Sequence, residues 1–458
     1  MDAVFAKVNK YHVEAVCEGP LHTGCSDGQK GEILVHPVSG KPFIQGSSLA
    51  GVFRDFISAA GSDAEKWFGS DKQSCQSDGR SKITFSDVAF SDSKVVVETR
   101  PHVKIDPATS SVSSGSAMGS AGKSGHKLDI TYVSKGTELS FDIYQFMNEN
   151  DNDDEVIERC LCAIEKGDIR LGGRLTSGCG ILKIKKAERT FFNMFDSSDR
   201  KMWTEESKSP DDITEEIRKD NSSSRFTRIT VAVKADKLVV RGSYIDRDTL
   251  EKFGFSAMYG DKEVRDPDSM PAASPDKHFF VSGSSLKGVF RSHISSVAGY
   301  TGDDHCFMDK AFSDKTKSKV FFRDAVLKDV NVKIHPVTRN KIDKFTGGTV
   351  DKALFKEIEI SGKFDFCIEI DNRESDVWNS DDVKRAAALV TLSVRDLAVH
   401  TFSIGSGASV GRGYTDVESM TIETAEGKKY TVDFSNSSMD NETKEFIDGC
   451  LSMLKGDN

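Results

Sequence analysis

Apolar residues recur along the chain first at every second position and then at every third or fourth, and this order occurs twice. The alternating runs YHVEAV at 11–16 and RITVAV at 228–233 predict half-buried strands. After each run, apolar residues follow helical spacing at Leu49, Val52, Phe53, Phe56 and Ile57 in one copy, and at Leu286, Val289, Phe290, Ile294 and Val297 in the other. Each half therefore begins with a strand and a helix that buries one face.

The same kind of pattern predicts the rest of the first half. The segments ITFSDVAF and KGTELSFDIYQF predict two more strands, and ILKIKKA predicts a last one. Between them, an apolar stripe predicts a second helix through Val156, Ile157, Cys160 and Ile164. The order strand, helix, strand, strand, helix, strand is typical of a ferredoxin-like domain, whose two helices cover one face of an antiparallel sheet. We expect an α+β protein with two tandem ferredoxin-like, or RRM-like, domains.

A sequence repeat supports this duplication. The segment GSSLAGVFRDFIS from Gly46 returns as GSSLKGVFRSHIS from Gly283, with ten of thirteen residues identical at an offset of 237. The same offset carries Asp87 onto Asp324. Near the end of each half lies a glycine-rich loop, GGRLTSGCG in the first and GSGASVGRG in the second, at an offset of 233. The two halves therefore share one order of elements.

Composition indicates where the domains end. The segment 197–224, SSDRKMWTEESKSPDDITEEIRKDNSSS, is charged and serine-rich, which predicts a linker or a solvated helix. We therefore expect domains at 1–196 and 225–458, joined by a linker at 197–224. The serine- and glycine-rich stretch 107–126 is too poor in apolar residues to form a core and predicts a long inserted loop.

Charge and cysteine content narrow the class of protein. The 458 residues carry a formal net charge of −10, which argues against a surface that is basic throughout but leaves room for a local basic groove. No apolar run approaches the roughly 18 residues of a membrane span, so we expect a cytoplasmic protein without membrane contact. The nine cysteines form no CxxC pair and no zinc-ligand spacing, and we expect reduced, mostly buried thiols.

Several motifs together carry a family resemblance: HPVSGKPFIQGSSLAGVFR at 36–54, FFVSGSSLKGVFR in the second half, IDKFTGG from Ile342, and the two glycine-rich loops. These motifs resemble the RAMP superfamily, and most closely the Cas-seven-like backbone subunits of type III CRISPR effector complexes. The fused duplicate is similar to a type III-D-like arrangement. The resemblance implies binding of guide crRNA and target RNA, and contact with the other backbone, large and small subunits. It also implies inserted thumb loops at about 100–135 and 333–358.

The glycine-rich loops and the serine-led helices are expected to hold the guide. Glycine lets backbone N–H groups approach phosphates, and arginine adds a bidentate charge. We expect the paired serines at the helix N-caps and the helix arginines on the exposed faces. With the resemblance, the implied RNA-binding residues are Ser47, Ser48, Arg54, Ser284, Ser285, Lys287, Arg291, Arg170, Arg174, Arg412, Lys344 and Thr346.

The resemblance further implies that an acidic residue between the first strand and the serine-led helix cuts the target RNA with a divalent metal. In the first half the only aspartate in this loop is Asp27. In the second half, alignment of Gly24 with Gly242 favours Asp246, and Asp261 is the alternative because its spacing to VRDP resembles that of the family's aspartate. We expect Mg²⁺ at Asp27 and Asp246 in a metal-dependent endoribonuclease.

Two other functions stay open. The chain could be a non-catalytic RNA-binding subunit of the same complex, including a cap on the 3′ end of the guide, in which case the loop aspartates are idle. It could also be a guide-processing endoribonuclease that cuts repeat RNA without a metal. The sequence shows no clear histidine-based acid and base arrangement, which counts against guide processing.

Overall fold

A computed structural model of the chain describes residues 5–24, 31–62, 64–69, 80–91, 95–106, 111–112, 127–151, 155–220, 222–242, 252, 271–300, 305–312, 317–330 and 332–454. The chain divides into two compact units. The first comprises Met1–Glu98, Thr131–Leu175 and Cys179–Ser224, and the second comprises Thr99–Ile130, Thr176–Gly178 and Arg225–Asn458. Within the described ranges, no helix is both long and apolar enough to cross a membrane.

The first half of the chain contains eleven described strands and five helices. The strands are β1 (Lys7–Cys17), β2 (Phe43–Ile44), β3 (Ile83–Phe85), β4 (Val88–Phe90), β5 (Val97–Val103), β6 (Ile105–Asp106), β7 (Ser111–Val112), β8 (Lys127–Val133), β9 (Glu138–Met147), β10 (Leu182–Asn193) and β11 (Asp211–Asp212). The helices are α1 (Gly46–Ala59), α2 (Ala64–Phe68), α3 (Val156–Lys166), α4 (Ser197–Glu205) and α5 (Thr214–Arg218).

The first sheet has the strand order β11, β10, β1, β9, β4, β2, and β3 also pairs with β9. All of these pairs are antiparallel. The helices α1 and α3 supply apolar residues to one core with β1, including Phe53, Ile57, Cys160, Ile164 and Val13. Burying a large apolar side chain of this kind contributes about 1.5–3 kcal/mol. The first unit thus has the predicted ferredoxin-like arrangement.

The segment 197–224, which we predicted as a linker, lies within the first compact unit. It forms α4, β11 and α5, and β11 extends the sheet by pairing with β10. Ile213 and Ile217 are each 2% exposed and belong to the hydrophobic core. These two anchors stand among acidic and basic neighbours, so the segment has no apolar stripe long enough to be recognised in the sequence.

The second half contains nine described strands and four helices. The strands are β12 (Phe226–Leu238), β13 (Phe280–Val281), β14 (Val320–Phe322), β15 (Ala325–Val326), β16 (Lys333–Ile342), β17 (Thr349–Asp371), β18 (Thr415–Glu423), β19 (Lys429–Asp433) and β20 (Ser438–Met439). The helices are α6 (Gly283–Tyr300), α7 (His305–Phe312), α8 (Ser380–Ala398) and α9 (Asn441–Ser452).

The second sheet has the strand order β14, β17, β12, β18, β19, β20, and β16 also pairs with β17. Its pairs are antiparallel as well. Phe290 of α6 lies in the core, with its ring centroid 5.7 Å from that of Phe322 and 5.5 Å from that of Phe366. Both units therefore repeat one architecture, which confirms the predicted α+β class with tandem ferredoxin-like domains.

Two hairpins lie where we predicted thumb loops. In the second half, β16 pairs with β17 from Lys333 opposite Ser361 to Ile342 opposite Thr349. In the first half, β5 pairs with β8, and β6 pairs with β7. Residues 99–130 and 176–178 belong to the second compact unit although they come from the first repeat. The predicted limit at 1–196 therefore follows the repeat and not the compact units.

Candidate nucleic-acid interface

The two glycine-rich loops share one backbone conformation. Each contains a short 3-10 turn, Leu175–Ser177 in the first loop and Ala408–Val410 in the second. In each loop, four residues at matching positions have positive φ. They are Gly172 (81°), Arg174 (57°), Gly178 (82°) and Gly180 (78°), and Gly405 (89°), Gly407 (92°), Gly411 (78°) and Gly413 (74°).

The last glycine of each loop is required by a close backbone approach. A Cβ atom on Gly180 would lie 2.0 Å from the Leu171 carbonyl oxygen, and one on Gly413 would lie 2.1 Å from that of Ile404. The carbonyl oxygens of these glycines accept hydrogen bonds from the N–H groups of Leu171 and Ile404, at 3.0 and 2.8 Å. Each loop is therefore a closed and ordered structure and not a merely flexible turn.

Both loops are attached to the segment that follows the first strand of their repeat. The Gly173 N–H donates to the His22 oxygen at 2.8 Å, and the Ser406 N–H donates to the Val239 oxygen at 2.8 Å. A second matching pair of bonds joins Gly180 to Pro20 and Gly413 to Lys237, at 2.9 and 2.8 Å. The loop between the first strand and the serine-led helix thus leaves from beside the glycine-rich loop in both repeats.

These bonds change the alignment that we used for the aspartates. Because His22 corresponds to Val239, Gly24 corresponds to Arg241 and not to Gly242. The isolated bridges agree, since Gly24 pairs with Ile33 and Arg241 pairs with Pro271. The first repeat has one residue more than the second at the end of its first strand. If the register of the two first strands is extended past that point, every later residue of the first repeat is therefore aligned one position too far along the second. The register that favoured Asp246 is therefore not the one that the hydrogen bonds support.

The three loop arginines have different surroundings. Arg170 is 3% exposed, and its Nε donates to the Gly167 oxygen at 3.0 Å. Arg412 is also 3% exposed, and it pairs with Glu357 and with Glu359, whose Oε1 lies 2.6 Å from Nε. Arg174 is exposed. Of these three loop arginines, only Arg174 presents its side chain to solvent, whereas the other two are held inside the fold.

Arg412 is the centre of a buried ionic cluster. Glu357, which is 5% exposed, accepts hydrogen bonds from Arg412, Arg339 and Arg241. Burial acts to raise the pKa of the Glu357 carboxyl, but the bonds from Arg412 and Arg339 outweigh it and hold this pKa below its usual value. The cluster therefore ties the second loop to the base of the β16–β17 hairpin.

The serine-led helices begin in the same way in both repeats. The Oδ1 atom of Asp87 accepts the Gly46 N–H at 2.8 Å, and that of Asp324 accepts the Gly283 N–H at 2.8 Å. A Cβ atom on Gly283 would lie 2.2 Å from the Phe322 oxygen, so this position admits no larger residue. The carboxylates satisfy the first N–H group and stabilise the positive end of the helix dipole.

The predicted serines lie inside the first helical turn. We expected them at the N-cap, but Gln45 is the N-cap of α1, and Ser282 precedes α6 with its Oγ accepting the Ser285 N–H at 3.3 Å. In α1 the Asp87 carboxylate takes the place of a side-chain cap, and in α6 Asp324 adds a bond to the one made by Ser282; the local sequence revealed neither aspartate. Ser47, Ser48 and Ser285 are exposed and Ser284 is half-buried, so most of these hydroxyls face solvent at the positive end of a helix dipole.

The basic residues of these helices are less exposed than we predicted. Arg54 and Arg291 are half-buried, and both make interactions within the protein. Lys287 is half-buried as well, and its Nζ donates to Thr176 Oγ1 at 3.0 Å. Both residues of this bond belong to the second unit.

Arg100 was not predicted, and it covers the start of α6 in the second unit. Its Nη1 donates to Asp324 Oδ2 at 2.5 Å, and its guanidinium carbon lies 4.4 Å from the Phe280 ring centroid. A Cβ atom on Gly283 would also meet the Ser177 oxygen at 2.6 Å. Sequence reasoning missed Arg100 because its partner lies 224 residues away.

The tip of the second hairpin presents an exposed aromatic ring. Asp343 accepts the N–H groups of Phe345 and Thr346, both at 2.9 Å, and these bonds lower the pKa of its carboxyl. The Phe345 side chain is 87% exposed, and Lys344 Nζ lies 5.1 Å from its ring centroid. Lys344 and Thr346 are exposed, as an RNA contact requires. Phe345 is a further candidate, and its signal in the sequence is a lone aromatic residue in a polar turn.

The predicted catalytic residues Asp27, Asp246 and Asp261 lie outside the described residues. Within the described ranges, no group of three or more histidine, cysteine, aspartate or glutamate side chains is arranged to hold a metal ion. Binding of Mg²⁺ by Asp27 and Asp246 therefore stays a prediction.

Comparison with known families agrees with the duplication. The sequence model of the RAMP superfamily matches residues 14–183 and 257–416, which together are well over half of the chain. Each matched region contains one serine-led helix and one glycine-rich loop. No curated protein matches the chain.

Proposed function

The chain belongs to the RAMP superfamily of CRISPR-associated RNA-binding proteins, and we propose that it is a backbone subunit of a type III effector complex that binds guide crRNA and cuts paired target RNA. Its partners are then the guide, the target RNA, and the other backbone, large and small subunits, in the cytoplasm. The observation that carries this proposal is the recurrence of one loop and one helix start, with the same hydrogen bonds, in both repeats.

In this proposal each repeat grips one stretch of the guide backbone. The exposed hydroxyls of Ser47, Ser48 and Ser285 lie at helix N-termini, where phosphate oxygens are favoured. Arg174 adds a positive charge from the first loop. The buried Arg412 ties the second loop to Glu357 and Glu359, and the buried Arg170 bonds to the end of α3 just before the first loop, so in this proposal both act on RNA only through the fold.

The hairpin tip is suited to separating neighbouring nucleotides. An 87% exposed phenylalanine gains from contact with a base, because stacking removes its ring from water. Lys344, beside Phe345, supplies a charge for the adjoining phosphate. We propose that Phe345 inserts between two bases of the guide or its paired target.

Cleavage is the finer part of the proposal. We assign it to Asp27 in the first repeat, and to Asp246 or Asp261 in the second, with a divalent metal. A metal bound there would stabilise the charge that develops on the scissile phosphate. The loops that carry these aspartates leave from positions hydrogen-bonded to the glycine-rich loops, which supports a scissile phosphate close to the bound guide.

The test is cleavage of a labelled target RNA by the assembled guide-bound complex with Mg²⁺. We expect Asp27→Ala to remove one set of products, and Asp246→Ala or Asp261→Ala to remove another, while guide binding is unchanged. Asp248→Ala, in the same loop as Asp246, is the matched control and should leave all products in place. If every product persists in the triple variant Asp27→Ala, Asp246→Ala, Asp261→Ala, the chain is a non-catalytic subunit or a cap at the guide's 3′ end.

A further inference from the structure

A groove of about 860 Å³ lies on the first sheet, on the face that α1 and α3 leave uncovered. Side chains alternate along a strand, so Lys10 and His12 of β1 point to this face while Tyr11 and Val13 enter the core. The floor also includes Tyr144 of β9. One wall is built by α4 and the residues after it, within the segment 197–224.

The aromatic rings in this groove are fixed by one another. The Trp203 ring packs edge-on against Tyr144, with centroids 6.1 Å apart, and against Phe192, with centroids 5.0 Å apart. Helix α4 is anchored by Asp199, which is 7% exposed and accepts hydrogen bonds from the Asn193 N–H and Lys208 Nζ, both at 2.8 Å. Tyr144 and Trp203 are half-buried and both line the groove, so part of each aromatic ring is accessible to a ligand.

A cation lies beside the aromatic surface. Lys10 Nζ is 5.7 Å from the Tyr144 ring centroid, and its ionic partner is Glu206 at 3.9 Å, a side chain that is 79% exposed. So long and exposed an ion pair contributes little, and Lys10 is available to an anionic group. His12 pairs with Asp142 at 2.7 Å, and Glu188 also lines the groove. An apolar peptide would have to desolvate these ionisable groups, which disfavours it as a ligand.

Among its described residues, the second unit does not place an accessible aromatic ring beside a lysine at the matching positions of its sheet. Lys10 lies opposite Tyr144 in the first sheet, and the matching pair in the second is Arg228 opposite Glu369. Glu369 is 0% exposed and accepts from Arg228 at 3.2 Å and from Arg323 at 2.6 Å. The second face therefore uses this position for an internal ion pair, whereas the first presents an aromatic ring and a lysine to solvent.

We propose that this groove binds one unpaired nucleotide of single-stranded RNA, with its base stacked on Tyr144 beside Trp203 and its phosphate at Lys10. The inference rests on the proposed RNA-binding function but adds a site separate from the loops and the serine-led helices. Stacking on aromatic rings of an open sheet is how RRM-like sheets hold unpaired bases. It tolerates many base sequences, because every base has an aromatic face.

The test is a titration of the full chain with a six-nucleotide uridine RNA, followed by tryptophan fluorescence. Trp67 and Trp378 are 2% and 1% exposed, so Trp203 dominates a change caused by a surface ligand. We expect saturable quenching, a Kd raised about tenfold or more by Tyr144→Ala, and a change of less than about twofold for Tyr144→Phe. Lys10→Gln should lower the slope of log affinity against log salt by about 0.7, the value for one phosphate on a single strand.

The matched variants keep the test interpretable if one variant misfolds. Tyr144→Phe retains the ring, and Lys10→Gln changes a partly exposed side chain, so a folding defect in Tyr144→Ala leaves two informative variants. Absence of quenching, or equal affinity in the wild type and Tyr144→Ala, overturns the groove proposal. Guide-length RNA is measured in parallel by gel shift. If the chain binds it while the groove variants have no effect, only the groove proposal fails. If the chain and its complex bind no guide, the proposed function fails.

Discussion

The two glycine-rich loops have the same backbone conformation, but they bury different side chains at matching positions. At matching positions the first loop buries Cys179 and the second buries Arg412, each 3% exposed. Arg412 is required by Glu357 and Glu359 at the base of the second hairpin. The comparison teaches that the positive-φ residues determine the backbone of the loop. The buried residue at the position of Cys179 and Arg412 is determined by the side chains that it contacts.

The starts of the two serine-led helices differ in a related way. Asp324 binds both the Gly283 N–H and Arg100, and its side chain is 14% exposed. Asp87 binds the Gly46 N–H and is exposed, and within the described part of the first unit no arginine pairs with it. The second helix start is thus covered by an additional residue, and the first is open to solvent or to a ligand.

The largest effect that separates the loops is expected from Arg412→Ala. Removing the guanidinium leaves Glu359 and Glu357 buried with fewer partners, and breaking a buried ion pair in this way costs about 3–5 kcal/mol. Urea unfolding of the second unit, which contains Trp378, measures the loss by fluorescence. The matched variant Cys179→Ala removes a small buried side chain and should cost roughly 1 kcal/mol. Equal losses in the two variants would contradict the account.

A smaller effect is expected within the second loop, from its two last glycines. Gly411→Ala introduces a Cβ with no atom within 4 Å, so its cost is that of positive φ, about 1–2 kcal/mol. Gly413→Ala adds a contact of 2.1 Å with a backbone oxygen and should cost at least twice as much. The difference in urea midpoint between the two variants measures the steric part. If Gly411→Ala proves the more harmful, the close approach is not what fixes the loop.

The helix starts give the next prediction. Asp324→Ala removes a carboxylate with two partners and should destabilise the second unit by about 2 kcal/mol, whereas Asp87→Ala should cost the first unit less. Hydrogen exchange of the first turn of each helix measures the local effect. Faster exchange in residues 99–106 is expected only for Asp324→Ala, because Arg100 then loses its partner. Unchanged exchange there would show that Arg100 is held by other contacts.

The smallest effect concerns pH. The pKa of Glu357 is lowered in the folded protein, so its contribution to stability is present above its unfolded pKa, near 4.3, and is lost as the pH falls through the folded value. We expect Glu357→Gln to lose less stability than the wild type as the pH falls from about 5 to about 3, because the variant has no carboxylate to protonate there. Urea midpoints across this range measure the change. If the urea midpoint of Glu357→Gln depends on pH as that of the wild type does, the cluster does not titrate as described.

The sequence predicted the fold better than the site. The strand and helix order of the first half, and the first strand and helix of the second half, followed from periods of two and of three to four residues, which depend on near neighbours; the remaining order of the second half followed from the repeat. The burial of Arg412 depends on Glu357, 55 residues away, and the cover of Asp324 depends on Arg100, so no local pattern reveals either. The segment 197–224 was predicted as a linker because, among its described residues, Ile213 and Ile217 are the only buried apolar side chains, and its other anchors, such as Asp199, are polar. Phe345 was overlooked because an exposed aromatic ring has no role in the fold itself.

The central claim is that both repeats grip the guide through equivalent loops and helix starts. Ultraviolet crosslinking of guide crRNA in the assembled complex, followed by identification of the crosslinked peptides, tests it most directly. We predict crosslinks in the loops 172–180 and 405–413, at the starts of α1 and α6, and at Phe345. Crosslinks confined to other surfaces, with neither loop touched, would contradict the account.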